Sequence, residues 1–232
     1  MDIKLKQLSK RYKFEWIFRS LDYHFEAGKT YAVLGPNGSG KSTLLKVLSG
    51  YSTPSKGNVD FFDGEKPFTS DKVYTEISYA APYIELIEEF TLTEMLDFHQ
   101  KFKPFQGDLN TQMLIEILNF SKSKHKEIKY FSSGMKQRLK LVLAICSDTR
   151  LLLLDEPTTN LDDEGVAWYQ MLIEKFTVNR LVIVASNVKH DYHFCSNQLS
   201  IMDYKKRVLE EKRTYCFFLS QLSFFLLKER NF

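Results

Sequence analysis

Cysteine is scarce in this chain. Cys146, Cys195 and Cys216 are the only three in 232 residues, widely separated and without C-x-x-C spacing. That argues against a disulfide framework or a zinc site and fits buried packing thiols in a reducing compartment. An excess of one charge is lacking too. The formal net charge is +3 with acids and bases interspersed, so no strong field points to a nucleic-acid partner. No long apolar run opens the sequence: Met1-Asp-Ile-Lys-Leu-Lys alternates polar and apolar residues. Neither a signal-peptide core nor a membrane span is expected there, and export is not expected. Internal repeats, heptads and low-complexity linkers are also missing, so the segments should pack as one unit. What is plentiful is apolar content, at 44%, ample for a buried core.

Gly35-Pro-Asn-Gly-Ser-Gly-Lys-Ser-Thr43 fits the phosphate-binding loop template G-x-x-x-x-G-K-[ST]. Tyr31 to Leu34 before it has strand character, and Ser42 to Leu48 after it reads as a helix. In that context Gly38 and Gly40 let the backbone turn its N–H groups toward an anion. Ser39 and the rest of the loop close around it, the helix start adds its positive dipole end, and Lys41 adds a mobile charge. A β,γ-phosphate pair suits such a cradle.

Residues 2 to 34 alternate in strand fashion, with Glu26-Ala-Gly-Lys29 reading as a hairpin into the phosphate-loop strand. A strand with a D-G turn follows from Lys56 to Glu65, and Val73 to Ala80 is a further candidate; both are expected to join the first sheet. Between Leu86 and Ser147 the period becomes helical, through Leu92, Met95, Leu96 and His99 and again through Met113, Leu114, Ile117 and Leu118. Leu151 to Leu154 and Leu181 to Ala185 are continuous apolar runs, as in strands buried on both faces of a parallel sheet.

The first of those runs ends in Asp155 and Glu156, 114 positions after Lys41. In a phosphate-loop enzyme Asp155 would hold Mg²⁺ through water, Ser42 would ligate it directly, and Glu156 would orient or deprotonate the attacking water. Phe131-Ser-Ser-Gly-Met-Lys-Gln-Arg138 precedes the apolar helical run from Leu139, making Ser132 or Ser133 its N-cap.

That last run resembles the L-S-G-G-Q signature of the ATP-binding-cassette family, and Asp155-Glu-Pro-Thr-Thr-Asn-Leu-Asp162 resembles that family's Walker B motif and D-loop. With the phosphate loop, the motifs fall in the family's order and spacing over roughly residues 2 to 213. The resemblance implies an α/β fold: a P-loop NTPase core with an antiparallel β-subdomain and an inserted α-helical subdomain, about residues 83–147, within an ATP-binding domain of residues 1–213. It implies a head-to-tail dimer, of two copies or of one copy and a related chain, with ATP lying between one subunit's phosphate loop and the other's Ser132, Ser133 and Gly134. Ser133 and Met135 depart from the usual signature, and Ser is small enough to be tolerated. Asp162 would lie in the D-loop or serve as N-cap of the following helix. Tyr12 occupies the place of the aromatic residue that stacks on adenine, with Phe14 and Trp16 as rivals.

Two departures bear on rate. No glutamine stands in Ile77-Ser-Tyr-Ala-Ala-Pro-Tyr83, where Pro82 takes the place of the family's Q-loop glutamine, so coupling there must rest on backbone or on a neighbouring residue. Asn187 stands where the switch histidine belongs, with His190 three residues on. An amide can bond a γ-phosphate but cannot carry its charge or shuttle a proton. The expectation is a Mg²⁺-dependent, slow ATPase at the cytoplasmic face of a membrane, powering a separately encoded transmembrane permease and using no nucleic acid. A nucleotide-gated module with little hydrolysis is the alternative. Within the apolar segment 214–232, the thirteen residues from Tyr215 to Leu227 would reach only ~20 Å as a helix, too short to span a bilayer, leaving a helix packed on the domain or at a dimer contact, or an interfacial membrane contact.

Overall fold

The computed structural model describes residues 1–68 and 70–205. The apolar segment 214–232 and Cys216, both singled out above, lie outside the described residues.

The chain folds as two sheets with a helical lobe. The first sheet is antiparallel, in the order β2-β1-β4-β5, built from β1 (Asp2–Tyr12), β2 (Glu15–Phe25), β4 (Lys56–Asp63) and β5 (Lys66–Pro67). The second is parallel, in the order β6-β7-β8-β3-β9, from β3 (Thr30–Leu34), β6 (Ile77–Ala80), β7 (Leu151–Asp155), β8 (Leu181–Ala185) and β9 (Asn197–Ser200). Helix α1 (Lys41–Leu48) follows β3, and the short α2 (Ser70–Val73) precedes β6. Helices α3 (Leu92–Phe102), α4 (Thr111–Leu118) and α5 (Ser133–Ile145) form the lobe, and α6 (Asp163–Phe176) and α7 (Lys189–Tyr192) flank β8. Among the described residues no helix is long and apolar enough to cross a membrane.

Strands β7 and β8 are buried along their whole length, and their alternation divides the interior in two. Leu152, Leu154, Val182 and Val184 face the cluster shared with α3 to α6, while Leu151, Leu153, Leu181 and Ile183 face the cluster shared with α1 and the antiparallel sheet. Each buried Leu, Ile or Val contributes roughly 1.5–3 kcal/mol through loss of apolar area to water. Side-chain acceptors set the helix starts: Thr91 and Glu94 form a reciprocal capping box, and Asn110, Ser132 and Asp162 cap α4, α5 and α6. Such a cap is worth about 1 kcal/mol.

The sheet partition differs from the sequence reading in two places. Glu26 to Lys29 do turn, with the Lys29 N–H donating to the Glu26 carbonyl, but β2 and β3 are not a hairpin: β3 pairs with β8 and β9 in the parallel sheet. Its residues Tyr31 to Val33 are buried, which a strand enclosed between two layers requires and a hairpin edge does not. Similarly, residues 70–76 are helical and only Ile77–Ala80 is extended, pairing with β7 rather than with the first sheet. Cys146 is buried, Cys195 partly buried, and both are free thiols, pushed up to about 12 by burial.

Candidate functional site

The carboxyl ends of β3, β7 and β8 lie side by side in the parallel sheet, where open α/β sheets bind ligands. From them come the loop 35–40, the pair Asp155 and Glu156, and Ser186 with Asn187. Strand pairing brings Asp155 level with Ala185, and the Glu156 N–H donates 2.9 Å to the Ala185 carbonyl. A cleft of about 180 Å³ opens there, lined by Ile17, Glu156 and residues 37–43.

Glycine is needed at the turn into α1. Gly40 has φ of 112°, and a Cβ there would fall 2.4 Å from the Ile17 side chain. Gly38 has φ of 75° with open space around it, so conformation rather than crowding selects it. The loop is self-braced: the Ser39 N–H donates 3.0 Å to the Pro36 carbonyl, and the Lys41 ammonium donates 2.7 Å to Gly35 and 3.4 Å to Pro36. Burial lowers the Lys41 pKa, against the pull of the Glu156 and Asp155 carboxylates. Ser42 and Thr43 occupy the first turn of α1 and also line the cleft. Asn187 donates through its amide to Asn37 Oδ1 at 2.9 Å, tying the end of β8 to the phosphate loop.

Asp155 is 1% exposed. Burial raises its pKa, with the Ser42 and Tyr83 hydroxyls acting the other way. The Tyr83 hydroxyl donates 3.1 Å to Oδ2, while Oδ1 is buried with no hydrogen-bond partner among the described residues, as is the Ser39 hydroxyl. An orphaned buried carboxylate oxygen beside a helix-start hydroxyl fits a hard divalent ion. Such an ion takes one or two protein oxygens and fills its remaining positions with phosphate and water. Among the described residues there is no group of three or more His, Cys, Asp or Glu able to cage a metal without such help. Glu156 has φ of 45°, a left-handed conformation that costs a non-glycine residue on the order of 1 kcal/mol or more and often marks a functional position.

Other predicted residues lie off this cleft. Ser132 caps α5, its hydroxyl accepting from the Met135 N–H at 3.2 Å, and Ser132 and Ser133 are exposed at the helix start with Gly134 behind them. Asp162 Oδ1 accepts from the Gly165 N–H at 2.8 Å, so the N-cap role is realised. Tyr12 is 48% exposed at the end of β1, with the Lys10 ammonium 5.0 Å from its ring centroid. None of these five lines the cleft. His190, three residues after Asn187, has its Nε2 3.0 Å from the Thr158 hydroxyl.

Several residues that hold the site together were not singled out from sequence. Gln137 on α5 is buried and donates 2.7 Å to the Pro157 carbonyl, and Arg138 lies 3.7 Å from Asp162 and 3.8 Å from Glu164. These contacts bind the helix that starts at Ser132 to the segment after Glu156. Tyr79 and Tyr83 are the other omission. The absence of glutamine around Pro82 was the only sequence signal near them.

Comparison with known proteins gives the family and the fold. The family profile described as "ABC transporter" matches residues 18–159, more than half of the chain. The ABC transporter ATP-binding protein YcbN of Bacillus subtilis strain 168 is 31% identical over 74% of this chain, which spans 56% of that relative's length. The lantibiotic transport ATP-binding protein SrtF of Streptococcus pyogenes is 28% identical over 90% of each chain. In fold, the chain is similar to the ATP-binding cassette MJ0796, solved as a dimer in a post-hydrolysis state bound to ADP and Pi, with a TM-score of 0.74, 21% identity, and coverage of 85% of this chain and 93% of that one.

Proposed function

The chain belongs to the ABC transporter family, and on that footing we propose that it binds and hydrolyses ATP as the energy-supplying subunit of a membrane transporter. The observation that carries this reading is the cleft lined by Lys41, Ser42 and Glu156, next to the end of β7 where a buried Asp155 oxygen is unpartnered among the described residues.

In this reading the triphosphate lies along residues 35–43, with backbone N–H groups and the α1 dipole facing its charge. Lys41 leaves the Gly35 carbonyl for the β- and γ-phosphates. Asp155 and Ser42 would hold Mg²⁺, which supplies charge neutralisation across the phosphates. Glu156, at the mouth of the cleft, orients the attacking water and takes its proton, while the Asn187 amide steadies the γ-phosphate without a charge of its own. Tyr12 stacks on the base. A second subunit, the same chain or a related one, presents its Ser132, Ser133 and Gly134 to the γ-phosphate, with Asp162 near the junction, so that ATP closes the dimer and hydrolysis releases it. The family, the name of SrtF and the dimeric relative support that assembly.

The membrane partner is a separately encoded permease, which places the chain at the cytoplasmic face. Its contact is the groove of about 710 Å³ between residues 82–89 and α5, where Glu85, Glu88 and Glu89 face Lys136 and Lys140. The ATP-binding domain runs over residues 1–213 with its helical subdomain at about 83–147. The test is phosphate release by the purified chain with Mg²⁺ and ATP beside Glu156→Gln. That variant is expected to keep ATP and lose turnover by at least about 100-fold. Full turnover in it would remove Glu156 from the role. The Asn187–Asn37 bond favours one second reading, a nucleotide-gated module, which binding without turnover in the wild type would support.

A further inference from the structure

We propose that Tyr83, backed by Tyr79, is the positioning residue for Asp155, holding one carboxylate oxygen so that the other is presented to a divalent ion in the nucleotide cleft. The inference rests on the reading of Asp155 as the metal-holding carboxylate.

The two oxygens of Asp155 are treated differently. Oδ2 accepts the Tyr83 hydroxyl at 3.1 Å, and Oδ1 is buried without a partner among the described residues. A carboxylate bonded on one oxygen cannot rotate freely about its last torsion, so the unpartnered oxygen is fixed in direction. The Tyr83 and Tyr79 hydroxyls are also in contact. A phenol has one proton; that of Tyr83 goes to Asp155, so Tyr79 is the donor to Tyr83. The chain therefore runs Tyr79 to Tyr83 to Asp155, each bond polarising the next.

Two neighbours pack on the Tyr83 ring. The Lys46 ammonium on α1 lies 3.9 Å from its centroid, and the Tyr79 ring meets it edge-on at 6.3 Å and 74°. Helix α1 carries Lys41 and Ser42, and Tyr79 on β6 is paired with Leu153 on β7. The phenol is thus fixed by the same elements that supply the other metal-side groups. Tyr83 is 44% exposed and its hydroxyl could have faced water; it turns instead to a buried carboxylate. Pro82 beside it offers only its carbonyl, which accepts from Lys140 at 2.8 Å.

Groups that orient a metal ligand from behind typically matter by about 10- to 100-fold in metal affinity. The test is equilibrium binding of a fluorescent ATP analogue to the full chain, first in EDTA and then across a Mg²⁺ titration, for wild type, Tyr83→Phe, Tyr79→Phe and Asp155→Asn. Tyr83→Phe should bind the analogue as wild type does in EDTA yet need about ten-fold more Mg²⁺ for half-maximal response, with a smaller shift in Tyr79→Phe. A Mn²⁺ titration read by its electron paramagnetic resonance should show the same order. A wild-type Mg²⁺ midpoint in Tyr83→Phe overturns the inference, and so does loss of its binding in EDTA, which would make the hydroxyl a support of the loop as a whole. If wild type binds no analogue, the ATP reading itself fails. If Asp155→Asn keeps the full Mg²⁺ response, Asp155 is not the carboxylate in question and the inference falls with that assignment.

Discussion

Replacing Asp191 by Ala should destabilise the protein by about 3–5 kcal/mol, and replacing it by Asn by only about 1–2 kcal/mol. Asp191 is 1% exposed. Its Oδ1 accepts the Thr158 hydroxyl at 2.5 Å and its Oδ2 the Ser186 hydroxyl at 2.5 Å, with His190 Nε2 a further 3.8 Å away. Hydrogen bonds to a charged group contribute roughly 1.5–3 kcal/mol each, and a buried donor left alone costs about 1–3 kcal/mol. Alanine leaves the Ser186 hydroxyl without its acceptor and the Thr158 hydroxyl with His190 Nε2 alone, and removes two bonds to a carboxylate. Asparagine keeps an acceptor for one and offers its N–H to the oxygen of the other. Against a total stability of roughly 5–15 kcal/mol the alanine loss is large, and for a chain of this size it lowers Tm by roughly 10 °C. Urea unfolding followed by tryptophan fluorescence, with Tm from calorimetry, measures both variants. A loss below about 1 kcal/mol in Asp191→Ala, or equal losses in the two variants, would refute the reasoning.

A pH effect should come from His99. Its Nε2 lies 2.8 Å from the Ser147 hydroxyl, which donates to the Leu143 carbonyl, so Nε2 carries a proton and donates to Ser147. Burial, with the nearby Lys103 ammonium, lowers its pKa to about 4, so between about pH 6.5 and 4 the unfolded chain binds the extra proton and stability falls as pH falls. By pH 5 the loss is about 2 kcal/mol relative to pH 7. Urea midpoints for wild type and His99→Gln should converge as the pH drops, and parallel curves would reject this origin. Asn187→His should raise steady-state ATP turnover, because an imidazolium can carry charge at the γ-phosphate where the amide cannot; phosphate release at or below the wild-type rate would reject it.

Much of the site was legible because its residues are local in sequence. The phosphate loop, the buried strand ending in Asp155 and Glu156, and the caps at Ser132 and Asp162 each declare themselves within about ten residues, through turn chemistry, apolar runs and capping preference. Sheet membership did not. Whether β3 follows β2 into one sheet or crosses to another depends on what covers its two faces, and that is decided by residues far along the chain, as the pairing of Thr30 with Val182 shows. The side chains that tie the site together were invisible for the same reason. Gln137, Asp191 and Tyr83 look ordinary in their own segments, and gain a role only when Pro157, Thr158 and Asp155 arrive beside them.

The Lys41 ammonium rests on the carbonyls of its own loop, and on the proposed reading this makes nucleotide binding an exchange rather than an addition. Each contact the lysine forms with a phosphate replaces one it already has, so measured affinity is the difference between two satisfied states of the same cation. Without a ligand the loop has its buried charge compensated, and on the same reading a departing product would leave the lysine with these carbonyls to return to.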